Sequence, residues 1–120
     1  MKLSVKGFTL SELLLAVAIL LIAICGLLFA SVSCILMNES NNNLVIAVND
    51  AQYVLEQIKG LAYADIDNYE PPDFDNLNNE TITLDLDKSD VTRIRTVTVN
   101  VSWQERGRQR SFSLPTRIAR

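Results

Sequence analysis

Histidine is missing from this 120-residue chain, and cysteine occurs only twice. Without histidine there is no Ser-His-Asp triad, no Cys-His pair and no ordinary zinc site, so the commonest routes to nucleophilic and metal-assisted catalysis are closed. Neither an enzyme nor a cofactor or metal centre is expected. Cys25 and Cys34 both lie in an apolar stretch. On one helix they stand about 13 Å apart on opposite faces, out of disulfide reach. Everything beyond Cys34 must hold together without a disulfide. Proline is also scarce and none precedes Pro71, so no proline interrupts the first half of the chain.

Charge is scarce in one place only. The 48 % hydrophobic content is uneven: residues 13 to 30 carry no polar side chain, and only Ser31 and Ser33 interrupt the continuation to Met37. About 25 helical residues at roughly 1.5 Å each reach roughly 37 Å, enough to cross a bilayer core of about 30 Å. One membrane-spanning helix is the expected use of this run. Lys2 and Lys6 stand in front of it without an acid, which keeps the N-terminus in the cytoplasm and sends the C-terminal part across. A cleaved secretory signal fits poorly. Its small-x-small site, Ala16-Val17-Ala18, lies inside the apolar run instead of after it. Lipoprotein processing fits no better, with Ile24 before Cys25 and Ser31 three residues ahead of Cys34.

Beyond the polar exit "NESNNN", residues 38 to 43, the apolar residues Leu44, Val48, Ala51, Leu55, Ile58 and Ala62 recur in alternating steps of four and three, the mark of one helical face. No strong breaker separates this stretch from the apolar run, so a single helix of about fifty residues is expected, with Gly60 as its cap and Asn41, Asn42 and Asn43 as its weakest point. "YADIDNYEPPDFDNLNN", residues 63 to 79, reads as an exposed loop. "TITLDLD", residues 81 to 87, alternates apolar and polar side chains as a half-buried strand does; residues 93 to 104 repeat the pattern with Val97, Val99, Val101 and Trp103 on one side. Residues 105 to 108, including Gly107, make a tight turn, and residues 109 to 114 return as a partner strand. The expected fold class is α+β: a long N-terminal helix, membrane-spanning in its first half and amphipathic in its second, packed on a small antiparallel sheet.

"VKGFTLSELLLAV", residues 5 to 17, sets an acid, Glu12, against the start of the uncharged run. An unpaired acid in a bilayer costs roughly 2.5 to 3.5 kcal/mol on insertion scales, so it usually has a partner or a task. Glu12 is either an interfacial residue beside the headgroups or, if the chain is cut between Gly7 and Phe8, the partner of a new N-terminal amine one helical turn away.

The segment Gly7-Phe8-Thr9-Leu10-Ser11-Glu12, with lysines before it and a long apolar helix after it, resembles the class III signal of type IV pilins and type II secretion pseudopilins. The resemblance implies cleavage after Gly7 by a prepilin peptidase, methylation of the Phe8 amine, and use of Glu12 in assembly with other pilin-like subunits on an inner-membrane platform. It divides the chain into a leader, residues 1 to 7, an assembly helix, 8 to 37, and an extracytoplasmic domain, 38 to 120, with a helix over 44 to 62, a loop over 63 to 80 and strands over 81 to 118. Localisation follows: the bacterial cytoplasmic membrane, single-pass with the N-terminus inside, and then a filament. Ser11 replaces the usual aliphatic residue before the glutamate. The membrane segment lacks the kinking proline of major pilins, no C-terminal disulfide loop is present, and arginines stand where major pseudopilins carry a calcium loop. The missing proline and disulfide loop point to a minor subunit, and "LEQIKGLAY" and "VTVNVSW" are most similar to the small minor members.

Other motifs carry less. The acids of "DIDNYEPPDFDN" and "DLDKSD" lack the Gly and Glu of a calcium loop and are read as solvated. Three Asn-x-Ser/Thr matches, at Asn38, Asn79 and Asn100, matter only in a eukaryotic secretory pathway. Trp103 is read as a core residue. Charge is polarised, however: acids dominate residues 39 to 90, whereas Arg93, Arg95, Arg106, Arg108, Arg110, Arg117 and Arg120 face the single acid Glu105. A solvated hairpin is the plainest account. Arg106, Arg108 and Arg110 are the candidates for contact with a neighbouring subunit, head to tail, or with DNA phosphates as in a competence pilus; docking is weighted above DNA because the segment offers no clear stacking aromatic beyond Phe112. The alternative from another class is an uncleaved single-pass anchor presenting a small binding domain.

Overall fold

The computed structural model describes residues 7–87 and 94–119. Lys2, Lys6, Lys88, Asp90, Arg93 and Arg120, which figure in the charge pattern above, lie outside the described residues, as does the expected start of the second strand at residue 93. The chain forms two compact units, Met1–Asn38 and Glu39–Arg120.

Helix α1, Leu10–Gly60, runs for 51 residues and passes unbroken through Asn41, Asn42 and Asn43. Within the first unit its side chains are almost all exposed, including Leu13, Ile22, Leu28 and Phe29. The two hydroxyls that interrupt the apolar run are satisfied within the helix, Ser31 Oγ donating to the Leu27 carbonyl at 2.9 Å and Ser33 Oγ to that of Phe29 at 3.0 Å. Bonded one turn back, a serine exposes no unmet donor to an apolar solvent.

In the second unit one stripe of α1 is buried: Ala47, Asp50, Ala51, Val54, Leu55 and Ile58. This is offset from the expected stripe. Leu44 is exposed and Ala62 lies past the helix end, whereas Ala47 and Val54 are wholly buried. The apolar spacing alone favoured Leu44 and Val48; the polar Asp50 at the centre of the true stripe hid its course. The helix closes at Gly60, with the Leu61 amide turned back to the Ile58 carbonyl at 3.1 Å.

A short 3-10 turn, Ile66–Asn68, leads into a loop without regular structure through Pro71 and Pro72. The loop was expected to be exposed. Instead it inserts Ile66 and Leu77 into the core, with Tyr63, Tyr69 and Phe74 against its margin. Isolated apolar residues among Asp and Asn give no periodic signal, so their burial is set by the surface they meet.

Three strands follow, β1 Thr81–Leu86, β2 Ile94–Glu105 and β3 Arg108–Ala119, in an antiparallel sheet of order β1-β2-β3. Registers of Val99 with Leu84 on one side and Leu114 on the other put the apolar set of all three strands on one face. Val97, Val99, Val101 and Trp103 of β2 are buried there with Val54 and Ile58 of α1 in one core. Each such side chain contributes about 1.5–3 kcal/mol when fully buried. β3 runs further than its apolar alternation suggested, crossing Pro115, which pairs with Thr98. Proline is tolerated because, among the described residues, β3 borders no further strand, so a missing N–H on the open side costs no ladder bond.

Candidate functional site

At the N-terminus, residues 7 to 9 are non-helical and exposed, with Phe8 89 % accessible, and α1 begins at Leu10. Thr9 caps it. The Thr9 amide donates to Glu12 Oε2 at 3.0 Å and the Glu12 amide to Thr9 Oγ1 at 3.3 Å. This reciprocal pair is a capping box, in which a hydroxyl residue and a glutamate three positions on satisfy donors that a helix start otherwise leaves unmet. Glu12 therefore has a local partner that its place beside the apolar run did not reveal, although "TLSE" spells the box in the sequence. The Gly7-Phe8 bond lies just ahead of the cap, on exposed, non-helical backbone.

The second candidate is the β2–β3 turn. Arg106 and Gly107 have φ of 50° and 74°, the two positive values that a two-residue hairpin turn matching the twist of its strands requires. Glycine adopts this conformation freely; an arginine does so at a cost of about 1–2 kcal/mol. Arg106 is anchored, its Nη2 lying 2.6 Å from Glu39 Oε2 on α1. Beside it Glu105 is buried, accepting from Asn43 Nδ2 at 2.9 Å and Ser40 Oγ at 3.1 Å, with Arg110 Nε 3.3 Å away. The Asn43 amide foremost, then Ser40 and the two guanidinium groups, hold the Glu105 carboxyl below the usual carboxylate range against the cost of desolvation. These bonds also account for the unbroken helix at Asn43, a poor helix former that earns its place through its side chain.

The arginines singled out in the sequence are thus brought together but not left equal. Arg106 and Arg110 meet acids of their own domain, while Arg108 pairs with no described residue. Arg95, elsewhere, is bound to Asp67 at 2.8 Å and stacks over Tyr63 at 4.7 Å, so part of the acid-base polarity of the sequence is spent inside the domain.

A third cluster escaped the sequence. Asp50, buried on α1, accepts from Asn76 Nδ2 at 3.0 and 3.1 Å, and Glu80 Oε2 accepts from the amides of Asn76 and Leu77 at 3.2 and 3.1 Å. Glu80 Oε1 is buried without a partner. Desolvation first, then a hydrogen bond to Asp50 and repulsion from it, raise the Glu80 carboxyl above its ordinary value. When protonated, Glu80 can donate to Asp50 and the orphaned oxygen is met. The pair clips the loop to the helix; no spacing rule links residues this far apart. Among the described residues no group of three or more His, Cys, Asp or Glu is arranged to hold a metal ion.

Residues 2–31 match the family described as the prokaryotic N-terminal methylation motif. Comparison with curated proteins and with solved structures returns no match. The chain thus carries a class III prepilin signal ahead of a helix long and apolar enough to cross a membrane, and its helix-on-sheet domain is pilin-like in architecture.

Proposed function

We propose that this protein is the precursor of a minor structural subunit of a pilin-like filament, in a type IV pilus or a type II secretion pseudopilus, and that it has no catalytic role. The observation that carries the reading is the register of Gly7 and Phe8, exposed and non-helical, five and four residues ahead of Glu12 at the head of an uncharged helix whose apolar side chains are unburied. A prepilin peptidase cuts after Gly7 and the new Phe8 amine is methylated. Removal of the lysine-bearing leader then leaves Glu12 as the charged group nearest that amine, on its own chain or on a neighbour. The N-terminus faces the cytoplasm and the sheet domain the outside until an inner-membrane platform draws the helix into the filament. Minor status is supported by the absence of a proline before Pro71 and of any cysteine after Cys34. Intact mass of the protein purified from its own host tests this: loss of residues 1 to 7 with a methyl group on Phe8 is expected. A mature chain still beginning at Met1 rejects the filament reading in favour of an uncleaved anchor.

A further inference from the structure

The β2–β3 turn gathers three arginines and leaves one of them free. Glu105, Arg106, Arg108 and Arg110 line an open cleft of about 260 Å³. Within it Glu39 and Glu105 answer Arg106 and Arg110, while the exposed Arg108 has no partner among the described residues. Arg106 holds a left-handed φ of 50° that asparagine or glycine would adopt more readily, so an arginine is retained there against backbone strain. Strain of this kind gathers where a surface has a task.

The loop ahead of β1 carries the opposite charge on an equally fixed frame. Pro71 and Pro72 stiffen its entry. The Phe74 ring meets that of Tyr53 on α1 edge-on, with centroids 5.8 Å apart, and Asn76 donates to the buried Asp50. Asp73 and Asp75 flank the anchored ring, and with Glu70 they are exposed and have no ion-pair or hydrogen-bond partner among the described residues. Like charges are thus held close together with no cation to offset their repulsion.

Tip and loop cannot serve each other within one copy. The tip is tied to α1 at Glu39, Ser40 and Asn43 and the loop at Asp50 and Tyr53, which separates them by roughly 10–20 Å along the helix axis at about 1.5 Å per residue. The geometry points to a contact between copies, in which Arg108 of one copy docks on the Asp73 and Asp75 carboxylates of a second copy of this chain. A planar guanidinium fork suits carboxylates, and complementary charge of this kind sets register and partner choice. The two patches differ, so the contact is heterologous. The inference rests on the proposed filament for one thing, the parallel setting of neighbouring copies. With copies parallel, the contact offsets each from the next by roughly the tip-to-loop distance and repeats along the axis without closing. The subunit then enters an assembly as a run of like copies and not singly. Nucleic acid suits the tip less well, because a duplex needs a row of unpaired cations and the tip keeps one.

The test uses the full chain in detergent with Cys25→Ala and Cys34→Ala, one copy carrying a benzophenone label on Gln109→Cys beside Arg108 and the other made with heavy nitrogen. Ultraviolet light should join the label to residues 70–75 of the heavy copy, located by mass spectrometry. Arg108→Glu in the labelled copy should lower that yield about fivefold, which is what one exposed ion pair supplies. Asp73→Arg with Asp75→Arg in the heavy copy should lower it likewise, and combining the two reversed chains should restore it. High salt should weaken the parent link. All of these positions are exposed, so the Trp103 unfolding transition should be that of the parent in every variant. A yield indifferent to high salt or to both reversals, or a reversed pair that stays unlinked, overturns the docking. So do links confined to one copy, links from tip to tip, and loss of the link to excess duplex DNA at near-physiological salt, which assign the tip to an internal contact, a closed dimer or a nucleic acid. The reaction is read on the unprocessed chain: a chain left uncut after Gly7 in its host rejects the filament reading and leaves the cross-linking result standing.

Discussion

Helix α1 is apolar along both halves, yet the two halves dispose of their side chains in opposite ways. Between residues 44 and 60 the buried apolar residues Ala47, Ala51, Val54, Leu55 and Ile58 form one stripe that packs within the same domain, and the opposite face carries Asn49, Gln52, Glu56 and Lys59, with Leu44, Val45 and Tyr53 left exposed. Between residues 13 and 37 they go all the way round and meet nothing within the described chain. A helix apolar on every side has no favourable state in water. Periodicity thus states what a helix packs against: one neighbour when the apolar residues fall on one side, a surrounding apolar phase when they do not.

Paired truncations should separate the halves most sharply. Ile58→Ala, which removes a wholly buried side chain, should destabilise the domain by about 2–5 kcal/mol. Leu20→Ala, in the other half, should leave it within about 0.5 kcal/mol. Denaturant unfolding of the full chain in detergent, followed by the fluorescence of Trp103, reads both; similar losses would mean that the first half also packs within the subunit.

A charge reverses the sensitivity. Leu20→Lys should cost roughly 2.5–3.5 kcal/mol of membrane insertion, seen as loss of carbonate-resistant protein, with the Trp103 unfolding transition unchanged. Full retention would show that this half does not sit in hydrocarbon.

Smaller effects belong to the head of the helix, where cap and charge can be divided. Thr9→Ala should cost about 1 kcal/mol of local helix stability, measured as faster amide exchange in the first turn. Glu12→Gln keeps an acceptor at the box and should leave exchange nearly unchanged. It should also leave cleavage after Gly7 intact and yet remove the subunit from sheared filaments. Normal incorporation would confine Glu12 to its cap.

The smallest expected effect is a pH dependence of opposite sign at two acids. The Glu105 carboxyl is held low, so its contribution is present above the ordinary carboxylate range and is lost as pH falls through its folded value. Glu80 is held high, so its contribution is complete at low pH and is lost as pH rises through its folded value. Glu80→Gln should therefore raise the midpoint of unfolding at neutral pH and not near pH 4, whereas Glu105→Gln should lower it at neutral pH. A neutral-pH loss for Glu80→Gln would assign its main worth to the ionised form.

The helix, the strands and the hairpin turn were legible because each depends on a short-range period or on one glycine. Val97, Val99 and Val101 announce their face by alternation, and Gly107 announces the turn. Ile66 and Leu77 did not announce burial, since a lone apolar residue in a loop is placed only by the surface it meets. Nothing in the sequence singled out Asp50 or Glu105 for burial, because each is buried through donors supplied from distant segments. The capping box was legible in "TLSE" but was masked by the interest of Glu12 as a membrane acid.

Pro115 has a consequence beyond its own strand. Under the filament reading proposed above, a subunit polymerised through its helix gains nothing from a sheet that can also recruit copies of itself by its borders. β3 is the longer open border, and a residue without an N–H near its centre denies an incoming strand one of the donors on which a continuous ladder depends. On the other side β1 offers only six residues, with Asp85 on the outward face. Both borders resist growth, so a filament built from this subunit would take its direction from the helix.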